Sequence, residues 1–423
     1  MSCKYSSPKE KSFLNLALTT STQMAKGKFV SPFRRMALTP ADMNELEVVA
    51  KTIVEANMDR YLQYWDVNKR KVNPNSWKLV KSKNRMHVYS ERQWKRQSPA
   101  EKPSAEIDLQ SIFCVGTTPG TLDDVMLGVM SPTLEVTRTK ASYLDDLSGA
   151  AVLSTVKEPT SEDPFKSVAV KWMELDVRRR SMGFVKNRDY VYVEATGINY
   201  LPSGERLGYH VMHSVDIPQA HDLPERVRAK LSVCSFFRQR SDDSVSVYVM
   251  SMMDPMSDKV RRLVVPCFIK TLLSTLKYAY CGEMKKLSQA LNDRYAELKH
   301  VGPPNPDHNC ITCMKPMRVW RFGKLATSPT TCKLCFGYVC NSCKIEKKLS
   351  FMNADLKMTQ RKVSFCSSCV SDAMGVSPSE IPKASDCWPH AAGLSRLCNQ
   401  SGMWSTVLDN ESSAVSHDFA NTR

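Results

Sequence analysis

Eight cysteines between Cys310 and Cys369 fall into four Cys-x-x-Cys pairs. A turn of this kind brings two thiolates within reach of one tetrahedral ion, at about 2.3 Å per Zn–S bond. The pairs are separated by eighteen, four and twenty-two residues. Four residues are too few for the two middle pairs to wrap one ion, so an interleaved arrangement is favoured. Cys310, Cys313, Cys340 and Cys343 would hold one zinc, and Cys332, Cys335, Cys366 and Cys369 a second. Coincidental burial or disulfide bonding explains four such pairs in so short a stretch far less well. A closed set of four thiolates leaves no position for water or substrate, so the two zinc ions are read as structural. In so small a module the metal must supply much of the folding energy.

The other seven cysteines (Cys3, Cys114, Cys234, Cys267, Cys281, Cys387 and Cys398) are scattered and odd in number. That usage predicts reduced thiols and an intracellular, cytoplasmic protein. No apolar secretory leader opens the chain, and no stretch is apolar and long enough for a transmembrane span. With 59 Lys and Arg against 43 Asp and Glu, the formal charge is +16, which suits an anionic partner without naming it. No nucleic-acid role is expected, because the cations lack interleaved aromatics and no reader motif occurs. No nucleophile–base constellation, Walker motif, HExxH or GxGxxG occurs either, which predicts a non-enzymatic protein. The one isolated acid of note, Asp189, reads as a turn residue.

The elements that must position the cysteines follow from patterning. Residues 1–36 are polar, basic and aperiodic, and are expected to form a disordered tail. Thr39 as N-cap and Pro40 at the first helical position start a helix carrying Met43, Leu46, Val49, Ile53 and Met58 on one side, to about Tyr64. β-branched and aromatic runs at 86–89, 168–172, 190–195, 208–212 and 245–249 read as strands. A short helix is expected from Pro119-Gly120, and a second near 143–152. Residues 257–299 read as one long amphipathic helix, with Pro266 kinking it or marking its start. The domain organisation is thus a large α+β domain over 37–300, a proline-rich linker at 301–306, a finger at 307–372 and a disordered tail at 373–423.

The order and spacing of the cysteines resemble the FYVE family of zinc fingers, and also its cross-braced RING and PHD relatives. Those relatives place a histidine among the ligands, and none lies between Cys310 and Cys369 here. The FYVE resemblance implies phosphatidylinositol 3-phosphate and an endosomal membrane, yet the headgroup motifs depart from the pattern. Thr330-Thr331-Cys332-Lys333 stands where RRHHCR is expected, Pro304 replaces the Trp of WxxD while Asp307 is kept, and Ser364-Phe365-Cys366 replaces RVC. The module is therefore FYVE-related. Lys333, Lys344, Lys347, Lys348, Lys357, Arg361 and Lys362 are its candidate anionic-lipid contacts; a solvated face that binds nothing specific is the alternative.

The large domain resembles the START-like helix-grip fold, a curved antiparallel sheet around a long C-terminal helix, as joined to a FYVE-related finger in an expanded oomycete family. Segments 120–126 (GTLDDVM), 159–165 (PTSEDPF), 170–172 (VKW), 187–190 (NRDY), 204–209 (GERLGY), 213–216 (HSVD) and 254–255 (DP) carry the resemblance. It implies a hydrophobic small ligand between sheet and helix; a filled core acting as a scaffold has the same apolar pattern. The resulting expectation is a zinc-binding, lipid-interacting peripheral protein. The alternative is a protein-interaction adaptor that recognises a protein partner through its finger.

Overall fold

The computed structural model describes residues 31–92, 109–144, 147–177, 181–255, 258–297, 309–317, 330–352 and 358–377. The first thirty residues, the linker at 301–306, Lys357 and the chain beyond 377 therefore lie outside the described residues.

Helix α1 (Pro40–Leu62) starts where the sequence places it. Thr39 and Asp42 form a reciprocal cap: the Asp42 N–H donates to Thr39 Oγ1 at 3.2 Å and the Thr39 N–H to Asp42 Oδ2 at 2.9 Å. A π-helical turn (Gln63–Val67) ends it. Ten strands follow: β1 (Trp77–Lys83), β2 (Met86–Glu91), β3 (Gln110–Pro119), β4 (Leu147–Lys157), β5 (Ser167–Leu175), β6 (Asn187–Tyr200), β7 (Arg206–Ser214), β8 (Arg226–Arg228), β9 (Leu231–Ser241) and β10 (Ser244–Met253). Between β3 and β4 lie α2 (Leu122–Val129) and α3 (Leu134–Tyr143). The strands form one sheet in the order β1-β2-β3-β10-β9-β7-β6-β5-β4, antiparallel throughout that path, with short β8 parallel to β6.

Helices α4 (Asp258–Leu272) and α5 (Tyr278–Glu297) close the domain, joined by a 3₁₀ turn (Leu273–Lys277). Val264, Phe268, Met284 and Leu287 share one buried cluster with Val88 of β2, Val247 of β10, Phe237 of β9, Tyr190 of β6 and Met173 of β5. Strands lie about 4.8 Å apart, so a flat sheet would place β5 roughly 29 Å from β2. One helix pair touches both ends only because the sheet curls around it. The opposite face carries α1: Leu46, Val54 and Tyr61 pack with Trp172, Val191 and Phe236. The expected α+β architecture, sheet around a C-terminal helix and then a cysteine-rich module, is the one observed.

Several details differ from the sequence expectation. Residues 31–36 are not tail, since Phe33 and Met36 are buried and the Met36 N–H donates to Leu153 O at 2.8 Å. The second short helix lies earlier, at Leu134–Tyr143, and most of the 143–152 window is strand β4, which β5 captures by pairing. Pro266 sits inside α4, and the break comes at Leu273–Lys277. There the hydroxyls of Thr271, Ser274 and Thr118 bond to the carbonyls of Cys267, Thr271 and Leu276, in competition with the helical ladder. Asp189 is buried in β6, accepting from Trp172 Nε1 at 3.0 Å and pairing with Arg228 at 2.9 Å, so its turn reading is corrected.

Helices α2 and α5 cross backbone to backbone through two glycines. A Cβ at Gly282 would land on the carbonyl oxygen of Asp124, and one at Gly128 on that of Tyr278. An alanine inside a helix normally gains about 1 kcal/mol over glycine. At this crossing Gly282→Ala is expected to cost about 2–3 kcal/mol instead. Urea unfolding checks it, and a raised midpoint for the variant refutes the backbone contact.

Candidate metal centres and the domain interior

The sulfurs of Cys310, Cys313, Cys340 and Cys343 lie within 4.8 Å of one another, as do those of Cys332, Cys335, Cys366 and Cys369. These are the two interleaved sets that the spacing favours. The first two pairs are built alike. The Cys310 N–H donates to Lys315 O and the Met314 N–H to Cys310 O; the Cys332 N–H donates to Gly337 O and the Phe336 N–H to Cys332 O. Met314 and Phe336 close these turns at φ 56° and 60°, left-handed values that bulky residues rarely adopt. Nothing in their residue types signals that conformation. In the last pair, Cys366 caps helix α6 (Ser367–Gly375), accepting from the Cys369 N–H at 3.4 Å.

The donor set fits a tetrahedral ion. Zn–S bonds of about 2.3 Å imply sulfur–sulfur edges of about 3.8 Å. The Cys313–Cys340 and Cys335–Cys366 sulfur pairs are 3.8 and 3.9 Å apart. Burial alone would push the Cys310 thiol up, but the backbone N–H groups of Cys340, Cys313 and Thr312 outweigh it and bring it down to about 6. Cys332 is brought down to about 4, chiefly by its hydrogen bond with the Cys335 side chain, and the same bond holds Cys335 up. Such thiols share protons, and only a cation lets all four ionise together.

A hairpin of β11 (Ile345–Met352) and β12 (Met358–Phe365) joins the pairs and lies against the large domain. The Ser350 N–H donates to the Tyr143 hydroxyl oxygen at 2.8 Å, Gln360 Nε2 to Ser142 O at 2.9 Å and Arg294 Nε to Leu334 O at 2.9 Å. Lys347 pairs with Glu283 of α5 at 3.0 Å. Of the other candidate lipid contacts, Lys344 pairs with Glu346 at 3.0 Å and Lys333 Nζ lies 3.4 Å from Thr331 Oγ1. Lys348, Arg361 and Lys362 are exposed, with Lys348 and Lys362 directly opposite each other across the hairpin. Helix α6 runs through Gly375, past the finger boundary expected at 372.

The sheet interior holds a second constellation, which the sequence did not reveal. Lys171 of β5, Glu194 of β6 and His210 of β7 are buried on one diagonal across three neighbouring strands. Lys171 pairs with Glu194 and donates to Ser131 O at 2.7 Å, and His210 Nε2 lies 3.1 Å from Glu194 Oε1. Lys140 of α3 donates to Val129 O and sits 5.0 Å from the Tyr278 ring centroid. Burial alone would raise the Glu194 pKa, but Lys171, His210 and Lys140 outweigh it and hold the carboxylate well below its usual range. Burial pushes Lys140 down to about 8 and lowers His210 as well. The buried Tyr190 hydroxyl has no hydrogen-bond partner. The signal is invisible along the chain, because the residues are far apart in sequence and each interrupts an otherwise apolar run.

No protein-family model matches the chain, and no curated protein matches it. Among solved structures, human StAR-related lipid transfer protein 5 is similar at 15% identity and TM-score 0.38, over 55% of this chain and 98% of that one. Human STARD10 is similar at 11% identity and TM-score 0.33, over 64% and 89%. The lipid transfer and protein localization domain of human StarD13 is similar at 14% identity and TM-score 0.33, over 52% and 93%. The architecture described above rests on its own strand order and helix placement. Among the described residues, no helix is long and apolar enough to cross a membrane.

Proposed function

We propose that this chain is a non-enzymatic, zinc-binding, peripheral lipid-interacting protein. Its large domain is START-like and holds a hydrophobic ligand with a polar group between the sheet and helices α4–α5. The observation that carries this reading is the charged diagonal Lys171–Glu194–His210, with Lys140 beside it, buried within a largely apolar interior. Apolar walls with a few convergent polar groups are what such ligands require. The diagonal is internally neutralised and buried, which suits orienting a ligand better than moving protons through a reaction.

The finger is FYVE-related. Cys310, Cys313, Cys340 and Cys343 would hold one zinc, and Cys332, Cys335, Cys366 and Cys369 the other. Bound zinc supplies structural cross-linking there, because four thiolates fill its coordination. Of the exposed trio, Lys348 and Arg361 are placed to meet an anionic membrane, while Lys362 lies 3.9 Å from Glu346. The adaptor reading draws support from the same hairpin: it already docks against the large domain, and Lys344, Lys347 and Lys362 pair with Glu346 and Glu283.

Lipid extraction with mass spectrometry, and metal analysis on the same purified sample, tests both halves. The expected result is zinc at both centres and a hydrophobic molecule that co-purifies or exchanges in. A protein that neither carries nor takes up such a molecule loses the ligand-holding role. Zinc bound in that same sample leaves the adaptor reading standing.

A further inference from the structure

The strongest unassigned feature of the surface lies away from the finger, on the sheet edge formed by β1. From residue 67 to residue 90 the chain carries seven Lys and Arg and no Asp or Glu. Every residue from Lys78 to Arg85 is exposed, so this edge strand is open on both faces. Among the described residues, none of Lys78, Lys81 and Lys83 forms an ion pair.

The register explains how these charges gather. Lys78 lies opposite Ser90 and Leu79 opposite Tyr89, but a bulge then brings Lys81 opposite Val88 and Lys83 opposite Met86. Directly paired residues share a face of the sheet. Val88 and Met86 belong to the inner cluster and Tyr89 to the outer one. The bulge therefore moves Lys81 and Lys83 onto the face already occupied by Lys78. A regular strand would have put Lys81 on the opposite face from Lys78. Lys69 and Arg70, at φ 49° and 63°, lead in from the end of the π-helical turn. Exposed apolar side chains flank the cations along the edge: Val67 is 72% exposed and Val80, within the bulge, 43%, while Leu79, opposite Tyr89 on the other face, is 52% exposed.

We propose that the β1 edge and its lead-in loop form a docking surface for an anionic phospholipid bilayer. Lysines alone are a common guard on edge strands against aggregation. Exposed valines beside them, with Leu79 on the other side of the same open edge, work against that purpose and instead suit insertion at a headgroup boundary. A nucleic-acid strand would be met by exposed aromatics for stacking, whereas Trp77 and Tyr89 are half-buried against Phe113. The proposal deepens the peripheral-lipid reading by assigning a membrane contact to the large domain, and it does not depend on what the interior holds.

Flotation of the full chain with phosphatidylcholine vesicles, with and without phosphatidylserine, tests it. The wild type is expected to float with the anionic vesicles and to be released by salt. K78Q/K81Q/K83Q is expected to weaken partitioning on the order of 100-fold, at roughly fivefold for each cation removed from the membrane surface. All three side chains are exposed, so its thermal midpoint and its content of bound ligand should match the wild type. The charge-matched control K157Q/K166Q/K230Q, whose lysines pair with Glu47, Asp163 and Asp216, should stay within about twofold of it. The proposal is overturned if the β1 triple variant floats like the wild type, if the control loses as much, or if the chain binds single-stranded RNA and ignores the vesicles. Loss of flotation only on K348Q/R361Q/K362Q would also overturn it, while leaving membrane docking with the finger. Loss of the interior ligand with flotation intact would instead sink the ligand-holding role alone.

Discussion

Stripping metal from the full chain with a chelator is expected to unfold the finger while the ten-stranded sheet stays folded. The described finger buries few large apolar side chains, chiefly Leu334, Val339, Leu349, Val363 and Phe365. Each cysteine set takes one pair from either side of the other set's pair, so neither half of the finger closes without both ions. Structural zinc contributes about 10–16 kcal/mol to folding in small fingers. No other contact in this module approaches that. Hydrogen exchange read by mass spectrometry gives the clearest view. Amides of β11 and β12 should lose protection by several orders of magnitude on chelation, while those of β5 to β7 keep theirs. Cys332→Ser should reproduce the effect without a chelator, since it breaks one set and loosens the segments that carry the other. Unchanged protection of β11 and β12 after metal loss would mean that docking against Tyr143 and Ser142 suffices to hold the hairpin, and the metal reading would fail.

The same prediction shows why the finger was so legible in the sequence. A Cys-x-x-Cys turn is local, and a four-residue gap limits which pairs can share an ion, so the spacing alone favours this pairing. The start of α1 was local in the same way, written in Thr39, Pro40 and Asp42. Strand β4 was not. Its Gly149, Ala150 and Ser154 do not favour a strand, and only pairing with β5 makes it one. The crossing of α2 on α5 was hidden for a related reason: a glycine in an amphipathic helix says that something approaches closely, but not what. The interior diagonal was least legible of all. Lys171 reads along the chain as a polar residue on an exposed strand face, and only the curl of the sheet around α4–α5 turns that face inward. The bulge that collects Lys78, Lys81 and Lys83 is likewise a property of pairing, and alternation alone would have split them.

Glu194→Gln is expected to destabilise the large domain by about 3–5 kcal/mol near neutral pH, because it leaves Lys171 and Lys140 buried without a counter-charge. The cost should vary with pH in a defined sense. The native Glu194 pKa is depressed, so its contribution is present above the unfolded carboxylate range and is lost as pH falls through the native value. The wild type should therefore lose more stability than Glu194→Gln on acidification. Lys140 acts on the alkaline side. Its native pKa of about 8 lies below the ordinary lysine value of 10.5, so between the two the unfolded chain binds more protons. The penalty for burying its charge is complete below pH 8 and is relieved as pH rises toward about 10. Removing Glu194 takes away a charge that raises the Lys140 pKa, so relief in the variant should begin at lower pH. Urea unfolding of both proteins at about pH 3, 7 and 9 reads all three effects, and equal midpoints near neutrality would refute the buried charge network. K171M/E194Q separates stability from function. With both charges of the pair gone, part of the lost stability should return. Yet the interior would have lost the polar groups proposed to orient its ligand, so the double variant should fold and still bind that ligand more weakly.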